Sequence, residues 1–387
     1  ALYGGKELSL LQEFAANAHS YLTPAGFLLV IVSTDSNIDL FMKSFREHEY
    51  DGRLMHRVKT VFEDFYVYEF IPRSQAKGKL SLACPSCRGS LVASEAGWMC
   101  EKESLVFGID NGIPDFLLPS RRDQVNRFLD LYQLVRKSEG WGSNDHEYYF
   151  SLPYNDTSRK HTAIWKIRSK TFDTFIAHCA REHNSAKSIL DLGAGNCWLS
   201  RRLAEEGYDV TAVDIHIDES DGLRVTQRIR TNGSVGFSCI RAEFDHLPFP
   251  EHCFDIIIFN ASLHYVRDPY LTLLDNGRLL KKGGSIYVLD SPIYRDESSG
   301  RAMVDERQDD LRRRFDIEIP EEFSGSFLLY DHMRLLEDTF SVEFISPRYG
   351  LRWNVNRILP SLLMRREPAS FEIVRLQRKP GSHPSVL

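Results

Sequence analysis

The stretch Ser188-Ile189-Leu190-Asp191-Leu192-Gly193-Ala194-Gly195-Asn196-Cys197 is an apolar run that stops at an acid and two glycines, and Trp198-Leu199-Ser200-Arg201-Arg202-Leu203 continues as a helix. Glycine is needed where the backbone takes positive φ or lets a ligand approach closely, and the helix N-terminus behind the loop favours a polar or anionic group. The next strand, Tyr208-Asp209-Val210-Thr211-Ala212-Val213, ends in Asp214, about twenty residues on, where a carboxylate takes both hydroxyls of a ribose. Together the two segments predict a nucleotide-sugar site on an α/β fold.

The third glycine of the dinucleotide fingerprint, which lets the helix pack beneath a pyrophosphate, falls at Trp198, and a Trp is hard to reconcile with it. S-adenosylmethionine (SAM) has no pyrophosphate. Here the sequence resembles the class I SAM-dependent methyltransferases, in the broad group that includes quinone-ring C-methyltransferases. The resemblance runs on through Arg241-Ala242-Glu243-Phe244-Asp245-His246-Leu247-Pro248-Phe249, Phe254-Asp255-Ile256-Ile257-Ile258-Phe259-Asn260 and Gly277-Arg278-Leu279-Leu280-Lys281-Lys282-Gly283-Gly284-Ser285-Ile286-Tyr287-Val288. It implies a Rossmann-like sheet of seven strands. It also implies Asp191 near the amino-acid end of SAM with Gly193 and Gly195 under it, Asp214 on the ribose, Glu243 with the Phe244 backbone at the adenine, and Asn260 in the same cofactor set. Cys197 stands where many relatives have a third glycine, and Lys282 where they have proline.

Methyl transfer from a sulfonium depends mostly on positioning, so an acid or base is not obligatory. Asn260-Ala261-Ser262-Leu263-His264-Tyr265 follows the fourth strand of the domain, at the carboxyl end of the sheet where ligands of open α/β folds gather. His264 and Tyr265 are therefore the candidates to touch the acceptor, with His264 as a base for a hydroxyl or amine or as a hydrogen-bonded loop histidine. From Asp290-Ser291-Pro292-Ile293-Tyr294 to about Ser326 lies a charged insertion of the kind that often carries acceptor-binding elements in class I enzymes; Arg312-Arg313-Arg314 fits a solvated helix face as well as an anion site. Val342 to Ile345 and Phe371 to Leu376 would close the sheet as an antiparallel pair, with Arg348-Tyr349-Gly350-Leu351-Arg352-Trp353 as a substrate rim; Tyr294 and Arg352 are further acceptor-side candidates.

A chain of 387 residues exceeds what one core usually supports. The reading divides it into a partial α/β block (1–75), a small cysteine-bearing module (76–119) and the methyltransferase domain with an N-terminal helical lid (120–387). Ser120 is the expected N-cap of the first lid helix, with Val125, Phe128, Leu129, Tyr132 and Val135 as its apolar stripe, and a second helix spans about Ala163 to Ala180. In the module, Cys84-Pro85-Ser86-Cys87 with Cys100 has the knuckle pattern of a zinc ribbon, because two thiolates two residues apart grip one tetrahedral ion. Glu103 stands where the fourth ligand would be. The module, through Gly108 to Leu118, resembles the zinc-ribbon subunit that activates tRNA and release-factor methyltransferases and the ribbon fused to some rRNA guanine methyltransferases. That makes Cys84, Cys87, Cys100 and Glu103 the candidate zinc ligands, with a metal-free ribbon as the alternative. Residues 1–72 read as helix, strand, helix, strand, strand. From Tyr3-Gly4-Gly5-Lys6-Glu7-Leu8 to Phe62-Glu63-Asp64-Phe65-Tyr66-Val67-Tyr68 they are similar to the carboxyl half of a methyltransferase of release-factor glutamine.

The net charge of −6 argues against a strongly nucleic-acid-binding surface, and the longest apolar run, Gly26 to Val32, is of strand length, so no membrane span is expected. The seven cysteines lack the spacing of a disulfide framework and fit a reducing cytoplasm. Ala1 is no initiator Met and no leader follows it, so the chain is expected to start inside a longer reading frame. A small molecule leads as the acceptor; RNA or protein acceptors, a silent methyltransferase-fold scaffold and a nicotinamide enzyme are the rivals.

Overall fold

The first 72 residues contain helix α1 (Ser9–Ala18), strand β1 (Leu28–Ser33), helix α2 (Ile38–Glu47), and strands β2 (Tyr50–Lys59) and β3 (Asp64–Pro72), in the order read from the sequence. The computed structural model describes residues 9–18, 27–34, 36–48, 50–60, 63–72, 82–94, 97–182, 188–229, 237–320, 327–350, 353 and 366–379. Tyr3 to Leu8, Phe62 and Arg352 thus lie outside the described residues. The chain divides into two units, Ala1–Leu80 with Gln227–Gly236 and Ser81–Thr226 with Phe237–Leu387. In the first, β3 lies between β1 and β2, antiparallel to both. Asn37 caps α2 by accepting from the Leu40 N–H at 3.0 Å. The core beneath is aromatic, with Phe45 stacked on Phe70 at 3.8 Å between ring centres.

The second unit opens with a small antiparallel ribbon of strands β4 (Val92–Ser94), β5 (Gly97–Cys100) and β6 (Leu105–Phe107), after which β7 (Ile109–Asp110) turns into β8 (Ile113–Pro114). Phe116 is buried against Phe107 and Trp98, at 5.1 and 5.3 Å between ring centres. Helix α3 (Arg122–Ser138) follows a 3-10 turn over Pro119–Arg121. Ser120 is therefore inside that turn and not an N-cap: Pro119, with φ preset for a helical turn, starts the coil earlier, and no side chain caps α3. Val125, Leu129 and Val135 form the buried face of α3. Helix α4 (His146–Ser151) is capped by Asp145, and α5 (Thr162–Glu182) buries Trp165, Phe172 and Phe175.

The alternation from residue 188 onward builds strands β9 (Ser188–Leu192), β10 (Asp209–Asp214), β11 (Ser238–Arg241), β12 (Phe254–Asn260) and β13 (Leu280–Leu289), with helix α6 (Trp198–Glu205) between β9 and β10 and α7 (Pro269–Gly277) between β12 and β13. Short strands β14 (Ile293–Tyr294) and β15 (Leu328–Leu329) flank helix α8 (Glu297–Phe315), and β16 (Phe340–Ile345) and β17 (Ile373–Arg378) close the sheet. The sheet order is β11-β10-β9-β12-β13-β17-β16, parallel except for β17. Apolar runs buried on both faces, such as Ile256 to Phe259, are what a covered parallel sheet requires. Strand order reverses between β9 and β12, which opens a crevice at their carboxyl ends.

The edge at β11 is not left open. Past β8 the chain runs parallel beside it, with Phe116 N–H donating to the Arg241 carbonyl at 2.8 Å. The buried Asp115 carboxylate receives Arg122 at 3.0 Å and Arg241 at 3.3 Å, and accepts from the Leu117 N–H. This ties the ribbon to the sheet through a desolvated ion cluster. Removing Asp115 leaves Arg241 buried without its carboxylate, while the more exposed Arg122 turns to solvent, so Asp115→Ala should cost about 2 kcal/mol in chemical denaturation, and Asp115→Asn distinctly less. Equal stability of Asp115→Ala and the wild type would show that the cluster does not hold the edge.

Candidate active site

The loop after β9 is built around its glycines. Gly193 has φ +76°, and a Cβ placed on it would stand 2.3 Å from the Cβ of Ser262, so no side chain fits. Ser262 is fixed there by donating its hydroxyl to the Leu192 carbonyl at 2.6 Å. Gly195 has φ +52° but faces open space, its Cβ position meeting only the Asp221 carbonyl at 3.9 Å. Cys197, at the position where a third glycine is common, adopts φ +60° itself and leads into α6. Gly193 and Ala194 donate to the Val213 carbonyl at 2.8 and 3.1 Å. Gly195 N–H donates to one oxygen of Asp214 and His216 N–H to the other, each at 2.8 Å.

The crevice holds a cavity of about 340 Å³. Gly193, Gly195, Asn260, His264 and Tyr265 all line it. Among the described residues the Asn260 Oδ1 is buried without a hydrogen-bond partner, a polar atom that a bound ligand would satisfy. Asp191 lies beneath the loop and not on the cavity wall. One of its oxygens accepts from the Ser200 hydroxyl at 2.6 Å, the other has no partner among the described residues, and burial pushes the carboxyl up to about 7. Glu243 is likewise off the wall, held by Arg121 at 2.9 Å. Phe244 packs behind the loop, its ring 5.6 Å from that of Phe259.

Several lining residues carried no signal in the sequence. Arg136 on α3 grips Asp221 with two hydrogen bonds, at 2.6 and 2.9 Å, and lies 4.1 Å over the Trp141 ring. Arg168 on α5 and Arg307 on α8 also face the cavity, and Asp290, with φ +50°, follows β13. An aromatic wall of Phe128, Tyr132 and Tyr265 closes one side. The 3.6-residue spacing of α3 puts Phe128, Tyr132 and Arg136 on one stripe, and that spacing was the one available clue. Burial, with Arg307 and Arg168 nearby, pushes the His264 imidazole down to about 4. Tyr294 is fully buried away from the cavity, and Arg312, Arg313 and Arg314 are exposed and paired with acids of their own surface.

In the ribbon, the thiols of Cys84, Cys87 and Cys100 lie within 4.8 Å of one another. Glu103 is exposed and not in that group, because its place in the turn points the backbone N–H, not the carboxylate, at the Cys100 sulfur, which lowers that thiol's pKa. The expected set of four ligands is therefore a set of three thiols. The seven cysteines are thiols outside any disulfide, and among the described residues no helix is long and apolar enough to cross a membrane.

Residues 190–288 match the family described as a methyltransferase domain. That match runs from β9 to β13 of the Rossmann-like sheet. It is 33% identical over 101 residues to an uncharacterised methyltransferase of Mycobacterium bovis, covering 26% of this chain and 49% of that one. It is 33% identical over 132 residues to the ubiquinone biosynthesis O-methyltransferase of Hydrogenovibrio crunogenus (34% and 53%) and 37% identical over 108 residues to the ubiquinone/menaquinone biosynthesis C-methyltransferase of Vibrio parahaemolyticus (26% and 40%). The chain spans about half the length of the curated relatives it matches. Among solved structures, phosphoethanolamine N-methyltransferase 1 of Haemonchus contortus aligns with a TM-score of 0.40 at 17% identity, over 68% of this chain and 50% of that one.

The two loop glycines should separate in their effects. Gly193→Ala forces a steric clash as well as a strained φ and should destabilise the protein by roughly 2 kcal/mol or more. Gly195→Ala adds only backbone strain, about 1 kcal/mol. Thermal unfolding of both variants checks this; equal losses would contradict the geometry.

Proposed function

We propose that this chain transfers a methyl group from SAM to a small-molecule acceptor bound against His264. The observation that carries the reading is that one cavity has the glycine loop and Asn260 on its wall together with His264 and Tyr265. Its volume of about 340 Å³ is in the range of small-ligand sites, and two relatives are named for quinone biosynthesis. SAM supplies an electrophilic methyl on a sulfonium. Asp214, beside the glycine loop but off the cavity wall, takes the ribose hydroxyls while keeping the loop in shape, and Asn260 offers its unpaired oxygen toward the amino-acid end, with Asp191 supporting the loop from beneath. Glu243 and the Phe244 backbone serve the adenine, with Arg121 holding the Glu243 carboxylate in place. His264 and Tyr265 orient the acceptor, and the neutral imidazole receives the acceptor's proton as the new bond to carbon forms and the carbon–sulfur pair leaves with sulfur.

Calorimetry with S-adenosylhomocysteine tests the reading: the wild type should bind one equivalent, and absence of binding in folded protein would overturn it. His264→Ala should keep that affinity and lose about 100-fold or more in turnover if the imidazole is the base. Because its pKa is pushed down to about 4, the imidazole stays neutral at ordinary assay pH; kcat/KM of the wild type, which reports the free enzyme, should fall as the pH is lowered with a midpoint near 4 and show no step near 6.5 from this group. A step near 6.5 that disappears in His264→Ala would contradict the buried, cation-flanked placement.

The ribbon is read as a structural zinc site held by Cys84, Cys87 and Cys100, with a fourth position left for another donor. Elemental analysis of protein purified without chelator should find up to one zinc per chain, lost on Cys84→Ser. Equally stable, metal-free protein would establish a ribbon that folds without metal.

A further inference from the structure

Resting on the reading of this cavity as a SAM and acceptor site, we propose that its acceptor half recognises an anionic oxygen group on the acceptor, a carboxylate or an ionised phenol, through the guanidinium of Arg168. Three arginines line the cavity, and they differ in how they are neutralised. Arg136 is matched by both oxygens of Asp221, and Arg307 by Glu139 at 3.3 Å. Arg168 has neither a hydrogen bond nor an ion pair among the described residues, only the rings of Trp165 at 4.9 Å and Trp141 at 5.7 Å from its central carbon. Trp141 is itself braced by a parallel stack on His161 at 3.6 Å, so the guanidinium rests on an immobile platform. The acid that acts on it most strongly, Asp290, is engaged by the Thr171 hydroxyl at 2.8 Å.

A guanidinium taken out of bulk water is costly unless an anion meets it, and its planar fork suits two oxygens of one group. Its neighbours at the carboxyl end of the sheet assign it to the acceptor. Asp290 follows β13 and His264 follows β12, and Arg168 acts electrostatically on both. Beside the glycine loop the cation is Arg136 instead, because its partner Asp221 is the residue that approaches Gly195. The chemistry agrees with this placement: an oxygen anion held beside His264 screens it from Arg168 and Arg307, which makes the imidazole a better acceptor for the proton of the attacking group elsewhere on the same molecule.

The test uses the full chain saturated with S-adenosylhomocysteine, titrated calorimetrically with benzoate and with its neutral counterpart benzyl alcohol. The wild type should bind benzoate about tenfold or more tightly than the alcohol, and Arg168→Gln should bring that ratio to about two or less while leaving S-adenosylhomocysteine affinity within about twofold. Arg168→Lys, which keeps the charge but not the fork, should retain an intermediate preference. A wild-type ratio near one, or no benzoate binding, overturns the inference. So does an Arg168→Gln variant that keeps the preference but binds S-adenosylhomocysteine about tenfold or more weakly, since the guanidinium would then serve the cofactor's own carboxylate. Failure of the wild type to bind S-adenosylhomocysteine at all is the separate result that removes the cofactor reading, and this inference with it.

Discussion

The Asp214 carboxylate stands at the end of β10 and fixes two backbone N–H groups that point in different directions, Gly195 on the loop after β9 and His216 on the segment after its own strand. Burial raises its pKa, and these two donors together with His216 work against that shift. With Gly195 held from one side and Gly193 pressed on Ser262 from the other, the loop has one available path. The position of the α6 N-terminus, the opening of the crevice and the approach of Asn260 all depend on that path. Three non-glycine residues sit in the left-handed region around this crevice, Cys197, Ala261 and Asp290, each where a strand or its loop hands the chain on. Such conformations persist only where the surroundings over-determine them, as the surroundings of a ligand site do.

The fold was legible because its determinants are local. The run from Ser188 to Leu192, the pair Gly193 and Gly195, and the acid ending the next strand each declare themselves within a few residues, and four such segments in order leave little freedom of topology. The antiparallel closure by β16 and β17 was legible through the family resemblance and not through alternation, since Ile373 to Leu376 are buried without a break. The cavity wall was less so. Arg168, Arg136 and Arg307 come from three helices separated by up to 171 positions (from 136 to 307), and only Arg136, in line with Phe128 and Tyr132, is marked by its own helix as turning inward. Glu103 was misleading because spacing locates a residue along the chain, while the turn decides whether its backbone or its carboxylate meets the sulfur.

The first unit places its last strand between the two before it, β1-β3-β2, all antiparallel. The same order closes the large sheet as β13-β17-β16. In the second unit β13 is buried without a break from Gly284 to Leu289, whereas β1 alternates, with Leu29 and Ile31 largely exposed. Equal topology with unequal burial shows that strand order here is set by the connections and the twist they permit, and that burial is added by whatever packs on top.

The clasp between the ribbon and the sheet edge joins Asp115 to Arg241, 126 positions apart. A contact of that span cannot form until the later segment has been made. During synthesis the ribbon leaves the ribosome well before β11 exists, and its free pairing edge is exposed throughout that interval. A small module that folds on its own covalent or metal staples tolerates such a wait better than one relying on the distant strand. The order of segments along the chain thus sets a timing problem, in which the part that will seal the sheet must hold its shape before there is a sheet to seal.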